Sequence, residues 1–262
     1  MKSDKNIGLV LSGGGFKGVA HIGVLQALKE FNLEPSYISG TSAGAIVGAL
    51  YAAGHSPQEI KAFFKQTSLF KFNRFTAKKA GFLDSDKFES DLLPFLSEGT
   101  FESLDKKLYV TATNLVEGIS KVFNSGELLK PLLASAAFPG VFSPILIDGE
   151  LYADGGILDN FPIKPIKKKS DLLIGVDVSP IKKPKISDFK TSFNVMHRAY
   201  YLRATPNAQT KFKHCEIVIQ PKKLIHHGLF SNNGLDSVYQ MGYEEAKKAI
   251  ELYLNKNDQG AT

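Results

Sequence analysis

Twice within the first 52 residues a short apolar run ends in a glycine-rich turn and passes into a helix-forming stretch. The first unit runs from Asn6 to Ser12, turns through Gly13-Gly14-Gly15-Phe16-Lys17-Gly18, and continues from Val19 to Phe31. In that last stretch Val19, Ile22, Leu25 and Leu28 recur on one helical face. The second unit leads in through Tyr37-Ile38-Ser39, turns at Gly40-Thr41-Ser42-Ala43-Gly44, and leaves through the helix formers from Ala45 to Ala52. A strand–helix–strand–helix opening implies parallel strands joined by right-handed crossovers. It predicts an α/β fold with both turns at the carboxyl ends of strands, where open sheets of this kind carry their sites.

Further along, strands are expected at Lys107–Thr113, Ile119–Phe123 and Leu172–Val178, with a buried strand at Cys215–Ile219 that makes Cys215 a small core residue. A hairpin is expected at Ile145–Ile147 and Leu151–Ala153 around Asp148-Gly149, a dipeptide that favours tight turns. Helices are expected at Gly126–Ala137, near Thr191–Arg203 and at about Asp236–Leu254. The segment from Phe63 to Phe101 differs, holding 9 of the 19 phenylalanines and short helical pieces such as Asp86–Leu96. It reads either as a lid or acyl-binding wall, or as an ordinary packed helical insertion. No repeat or long linker divides the 262 residues, so one domain over 1–262 is expected.

The second turn reads G-x-S-x-G. A serine hydroxyl is a weak nucleophile until a sharp turn holds it out of the chain and a base sits beside it. Such a turn crowds its flanks, and the glycines at Gly40 and Gly44 relieve that crowding. The first turn also matches the dinucleotide fingerprint G-x-G-x-x-G at Gly13, Gly15 and Gly18. That reading needs an acidic residue closing the second strand to hold ribose, and Gly40-Thr41-Ser42 stands there instead. The loop suits acyl chemistry better, because amides held at a helix start stabilise a developing oxyanion. For a triad base, His197, His214, His226 and His227 lie late enough in the chain, but none has a context that singles it out. Asp154-Gly155-Gly156 stands out more: it leaves the strand Leu151-Tyr152-Ala153, and its glycines allow close approach to another loop.

Charge narrows the class of partner. The chain carries +6 overall, yet between Asn160 and Ile225 there are 14 Lys and Arg against 4 Asp and Glu. Such a flank suits an anionic lipid surface, or consists of solvated loops such as Lys167-Lys168-Lys169. No nucleic-acid-binding signature accompanies it. The charged start Met1-Lys2-Ser3-Asp4-Lys5, the lone Cys215 and the lack of a long apolar run predict a cytoplasmic protein, with peripheral membrane contact at most.

With these residues in hand, the chain resembles the bacterial patatin-like phospholipases. Ser12 to Leu25 is similar to that family's oxyanion loop and following helix, and Gly40 to Gly44 to its nucleophile elbow. Ala134-Ser135-Ala136-Ala137-Phe138-Pro139-Gly140-Val141-Phe142-Ser143-Pro144 resembles a further block, and Tyr152 to Gly156 with Asn160-Phe161-Pro162 resembles the aspartate motif and its tail. These blocks span about Ile7 to Ile166, and 167–262 is expected to complete the same domain. The resemblance implies a three-layer α/β/α sandwich with a mostly parallel central sheet and no cofactor or metal. It implies hydrolysis of phospholipid, lysophospholipid or related acyl esters by a dyad, with Ser42 the nucleophile and Asp154 the base. The amides of Gly14 and Gly15 would form the oxyanion hole, and Gly13, Gly18, Gly155 and Gly156 would support the motifs. Lys17 stands where the family often has arginine. As a point charge without a bidentate fork, it is a weaker candidate for head-group contact. An acyltransferase using the same dyad and a catalytically silent lipid-binding adaptor stay open as alternatives.

Overall fold

The computed structural model describes residues 5–67, 85–96, 98–181, 183–227 and 234–259. Its elements run β1 (Ile7–Leu11), α1 (Val19–Glu30), β2 (Tyr37–Thr41), α2 (Ala43–Ala52), α3 (Pro57–Gln66), α4 (Ser85–Leu92), β3 (Lys107–Asn114), β4 (Ile119–Phe123), α5 (Leu129–Ser135), β5 (Ile145–Ile147), β6 (Glu150–Asp154), β7 (Leu172–Val176), α6 (Ser192–Lys211), β8 (Ile217–Ile219) and α7 (Leu235–Gln259).

Every residue of β1 and β7 is buried, as apolar runs flanked by parallel neighbours and covered on both faces must be. The sheet order is β5-β6-β3-β2-β1-β7-β8, with β4 also pairing β3. β3-β2-β1-β7-β8 is a continuous parallel block, and β4, β5 and β6 add antiparallel strands at one end, so the sheet is mixed. Side chains alternate faces along each strand. Leu9 and Leu11 join Leu172, Ile174 and Val176 in the main core beneath α1, α2 and α7. Val10 and Leu173 point the other way, into a second cluster with Phe161, Ile166 and Ala208 of α6. Two helical layers thus sandwich one sheet, as expected.

Both units of the opening form where the spacing predicts them. The hairpin turn has Asp148 at φ 50° and Gly149 at φ 81°, the left-handed pair that a two-residue hairpin requires. Other boundaries differ. The helix expected from Gly126 begins only at Leu129, because Thr100 bridges Glu127 and the Leu128 amide donates to the Gly99 carbonyl at 2.8 Å. Pro131 then falls in the first turn of α5, where its missing N–H costs nothing. Conversely α6 runs past Arg203 and through Pro206 to Lys211, with Ala204 and Ala208 packed inside. Cys215 is half-buried and precedes β8 instead of opening it. In the phenylalanine-rich segment, Phe63, Phe64, Phe88 and Phe101 are buried in the main core, which favours a packed insertion at those positions. Residues 68–84, the middle of the suggested lid, lie outside the described residues. No described helix is long and apolar enough to cross a membrane.

Candidate active site

β2 ends at Thr41, and the chain reverses at Ser42 with φ 54° and ψ −125°, a left-handed backbone for a residue with a side chain. Strain of this kind costs of order 1–3 kcal/mol and persists only where the surroundings hold it. Three contacts do so. The Ser42 carbonyl accepts from Ala45 and Ile46 at 2.9 and 3.1 Å, starting α2 at once. The Ser42 amide donates to Ser135 Oγ at 2.8 Å, and that hydroxyl donates to the Thr111 carbonyl at 2.7 Å. Gly44 packs on the end of β1, so that a Cβ there would fall on the carbonyl oxygens of Leu11 and Ser12. Ser42 is left half-exposed at the tip of the elbow.

Asp154 reaches Ser42 by strand register. Thr41 pairs with Thr111 of β3, and the next residue of β3, Ala112, pairs with Asp154. β2 leaves the sheet at the elbow, and β6 arrives antiparallel on the same edge and stops there. The ends of the two strands therefore abut. Asp154 is 1% exposed; its amide donates to the Ala137 carbonyl at 3.0 Å and its own carbonyl accepts from Thr113 Oγ1 at 2.9 Å. Its Oδ1 accepts from the Gly156 amide at 2.8 Å and from Tyr200 Oη at 3.1 Å. Its Oδ2 is buried without a hydrogen-bond partner among the described residues. The Ser42 hydroxyl is near enough to favour the carboxylate, although it closes no hydrogen bond to Oδ2. Burial pushes the carboxyl up to about 6, against the downward pull of the Ser42 hydroxyl, the Gly156 amide and Tyr200.

The glycine loop is held against the same point. The Ser12 amide donates to the Val176 carbonyl at 3.0 Å and the Gly13 amide to the Asn160 carbonyl at 3.3 Å. Ser12 Oγ accepts from the Val178 amide at 3.0 Å, and the Ser179 hydroxyl donates to the Gly13 carbonyl. Gly13 lies against Ser42: a Cβ built on it would be 3.2 Å from Ser42 Cβ. Gly15 (φ 58°) opens a short 3-10 turn through Gly18 that feeds α1, so the Gly14 and Gly15 amides sit at a helix start with no intrahelical acceptor. Thr41 Oγ1 donates to the Asp159 carbonyl at 2.9 Å, tying the elbow to the tail of the aspartate motif.

Loop, elbow and Asp154 are thus brought together, whereas the histidines are not. No histidine hydrogen-bonds Ser42 or Asp154 among the described residues. His21, fully buried, donates Nε2–H to the Ser12 carbonyl at 2.8 Å, and burial holds it down at about 4. His55 bonds the Phe95 carbonyl. Lys17 is buried, its ammonium 5.3 Å from the Tyr201 ring centre. Burial brings it down to about 8, opposed by Asp177.

Two contributors escaped the sequence reading. Ser135 sits in a quoted block without an assigned role. Tyr200 lies on α6, where Phe193, His197, Tyr200 and Tyr201 recur at helical spacing, an aromatic stripe that could have flagged a buried face. Gly156 is what admits Tyr200, since a Cβ there would overlap the phenolic oxygen.

Known proteins resemble this chain in sequence and in fold. The profile of the patatin-like phospholipase family matches residues 9–166. An uncharacterised NTE family protein of Mycobacterium bovis is 36% identical over 181 residues, covering 68% of this chain and 50% of that protein. Lysophospholipase NTE1 of Debaryomyces hansenii is 30% identical over 186 residues, covering 68% of this chain and 12% of that protein. The chain thus spans about half the length of the mycobacterial relative and far less of the fungal one. In fold it is similar to VipD of Legionella pneumophila (TM-score 0.66, 16% identity, 96% of this chain and 68% of that one). It is also similar to human GIVD cytosolic phospholipase A2 (TM-score 0.51, 12% identity, 96% and 59%).

Proposed function

This chain belongs to the patatin-like phospholipase family, and from that premise we propose that it is a serine acyl hydrolase acting on carboxylic esters of phospholipids, lysophospholipids or related acyl lipids. Ser42 Oγ attacks the ester carbonyl while Asp154 takes its proton. The carbonyl oxygen becomes an oxyanion, to which the amides of Gly14 and Gly15 donate; each such donor is worth about 3 kcal/mol. The starts of α1 and α2 add favourable potential. Collapse of the intermediate expels the alcohol, which recovers the proton from Asp154, and leaves the acyl group on Ser42. Water then gives a proton to Asp154 and attacks the acyl carbon; the fatty acid departs and the proton returns to Ser42 Oγ.

The observation that carries this reading is the register that ends β6 against the elbow, leaving a buried carboxyl as the base available to Ser42. Held near 6, Asp154 is a stronger base than an ordinary aspartate yet is mostly ionised above neutral pH. Seating on an anionic membrane fits the surface near α6: Ile186, Phe189, Val195 and Leu202 are exposed, with Lys183, Lys185 and Lys190 exposed beside the first two.

A fluorophosphonate probe tests the nucleophile. Labelling of Ser42, located by peptide mass spectrometry and absent in Ser42→Ala, is expected; folded protein that takes no label refutes it. Product analysis with and without an added alcohol acceptor separates hydrolysis from acyl transfer. Full biological function in Ser42→Ala would favour an adaptor.

A further inference from the structure

The segment from Asp154 to Phe161 is fastened at both ends by one helix. At its start, Tyr200 of α6 donates to Asp154 Oδ1 at 3.1 Å. About three turns further along, at the last residue of α6, Lys211 Nζ donates to Asp159 Oδ1 at 2.5 Å and to the Phe161 carbonyl at 3.2 Å. The same carboxylate oxygen accepts from the Phe161 amide at 3.1 Å, so ammonium, carboxylate and peptide close a small ring. Beside it the Phe212 ring stands edge-on to the fully buried Phe161, with centres 5.2 Å apart. The family profile, which matches residues 9–166, takes in the segment that is held but not the helix that holds it.

An exposed lysine–aspartate pair contributes little, because solvent screens it and two long side chains must be ordered. This pair is set differently. Each side chain is 20% exposed, and the ammonium is shared between a carboxylate and a backbone carbonyl, a charge-assisted arrangement with a fixed geometry. Asp159 then reaches the elbow through its backbone. Its amide donates to the Gly155 carbonyl at 2.8 Å, and its carbonyl accepts from Thr41 Oγ1 at 2.9 Å. Thr41 ends β2 and immediately precedes Ser42. Gly155 packs on the same threonine: a Cβ there would lie 3.1 Å from Thr41 Cγ2 and would overlap the Thr111 carbonyl oxygen. From Lys211 to the residue before Ser42 the path is one ion pair, the backbone of one residue and one hydroxyl. Without the ammonium, the Asp159 carboxylate is left mostly enclosed and uncompensated, and turning it out to water draws its carbonyl away from Thr41.

We infer that Lys211 is a positioning residue for Ser42 and Asp154: its ammonium holds the Asp159–Phe161 end of the segment and, through the Asp159 carbonyl and Thr41 Oγ1, fixes the base of the elbow, while Tyr200 fixes Asp154. The kinetic consequence rests on the acyl hydrolase reading, whereas the hold on the elbow does not.

The test has a kinetic arm and an exchange arm. Lys211→Met, Lys211→Arg, Asp159→Asn, the double variant Lys211→Met/Asp159→Asn and Phe212→Leu are compared with wild type; the last loosens the same helix end but keeps the ion pair. Circular dichroism verifies folding, and Lys211→Gln replaces Lys211→Met if the latter does not fold. With a lysophospholipid, kcat of Lys211→Met should fall about tenfold to a hundredfold at nearly constant KM, as displacement of reacting groups requires. Fluorophosphonate labelling of Ser42 should slow in parallel, Lys211→Arg should recover most of the loss, and the double variant should be no slower than Lys211→Met. Wild-type kcat in Lys211→Met, additive losses in the double variant, or an equal fall of kcat in Phe212→Leu overturns the inference. In the exchange arm, the backbone amides of residues 40–46 should exchange with deuterium about tenfold faster in Lys211→Met than in wild type or Phe212→Leu. Wild-type protein that neither hydrolyses lipid nor takes the label overturns the acyl hydrolase reading alone. The exchange arm then decides: faster exchange in Lys211→Met upholds the hold on the elbow, and unchanged exchange overturns it.

Discussion

Replacing Asp154 by Asn is expected to remove activity and make the protein more stable. The carboxyl is 1% exposed, and burial lifts its pKa from 3.8 to about 6. Folding thus favours the protonated form. The wild-type protein binds this proton more tightly when folded, so its stability is greatest below the unfolded pKa near 3.8. It falls as pH rises through the folded value near 6 and then levels off. The gap between the two pKa values corresponds to about 3 kcal/mol at about pH 8. The amide introduced by Asp154→Asn would keep a carbonyl oxygen for the Gly156 amide and Tyr200 and would carry no charge to desolvate. Urea unfolding of wild type and Asp154→Asn at about pH 4, 6 and 8 reads this directly. The curves should nearly coincide at the lowest pH, and the variant should gain up to about 3 kcal/mol at the highest, roughly 6–12 °C in Tm. A variant less stable than wild type at about pH 8, or a difference that does not change with pH, would refute the argument that desolvation governs this carboxyl.

Three further outcomes follow from the same geometry. The acid limb of kcat/KM should lie near pH 6, where Asp154 loses its proton, and Tyr200→Phe should move it up by about one pH unit, as loss of one hydrogen bond of about 1.5 kcal/mol to the carboxylate requires; a pH–rate series on both proteins checks this. Ser135→Ala leaves the Ser42 amide and the Thr111 carbonyl without their shared partner, and should cost about 1–3 kcal/mol in urea unfolding together with most of kcat. Gly44→Ala drives a methyl group into the carbonyl oxygens of Leu11 and Ser12, which belong to backbone and cannot swing aside; about 2–3 kcal/mol of stability should be lost, with weaker fluorophosphonate labelling.

What could be read before the structure was what local chemistry writes. The two glycine turns announce themselves by composition and by the change of period on either side, so Ser42 and the Gly13–Gly18 loop were legible. Asp148-Gly149 was legible because few residue pairs accept two left-handed conformations in succession. Asp154 stood out only through its glycines and a family resemblance. Its meeting with Ser42 depends on β2 and β6 sharing one edge of β3, a long-range register with no local signature. Tyr200 and Ser135 escaped for the same reason, since each acts through a contact made 46 or 93 residues away. α6 outruns the expected end near Arg203: Pro206 disfavours a helix interior, but the helix continues to Lys211 with Ala204 and Ala208 packed inside.

The abutment of β2 and β6 on β3 makes the spacing of Ser42 and Asp154 an integer quantity. Strands shift against each other only in whole residues, each about 3.3 Å and each turning a side chain to the opposite face. A one-residue insertion or deletion within Val110 to Thr113 would not loosen the pair by degrees; it would aim Asp154 away from Ser42 altogether. Gradual change therefore has no purchase on the distance between them. On the proposed mechanism, variation that keeps the chemistry is confined to the surrounding walls, including α6, while Ser42 and Asp154 stay locked in step.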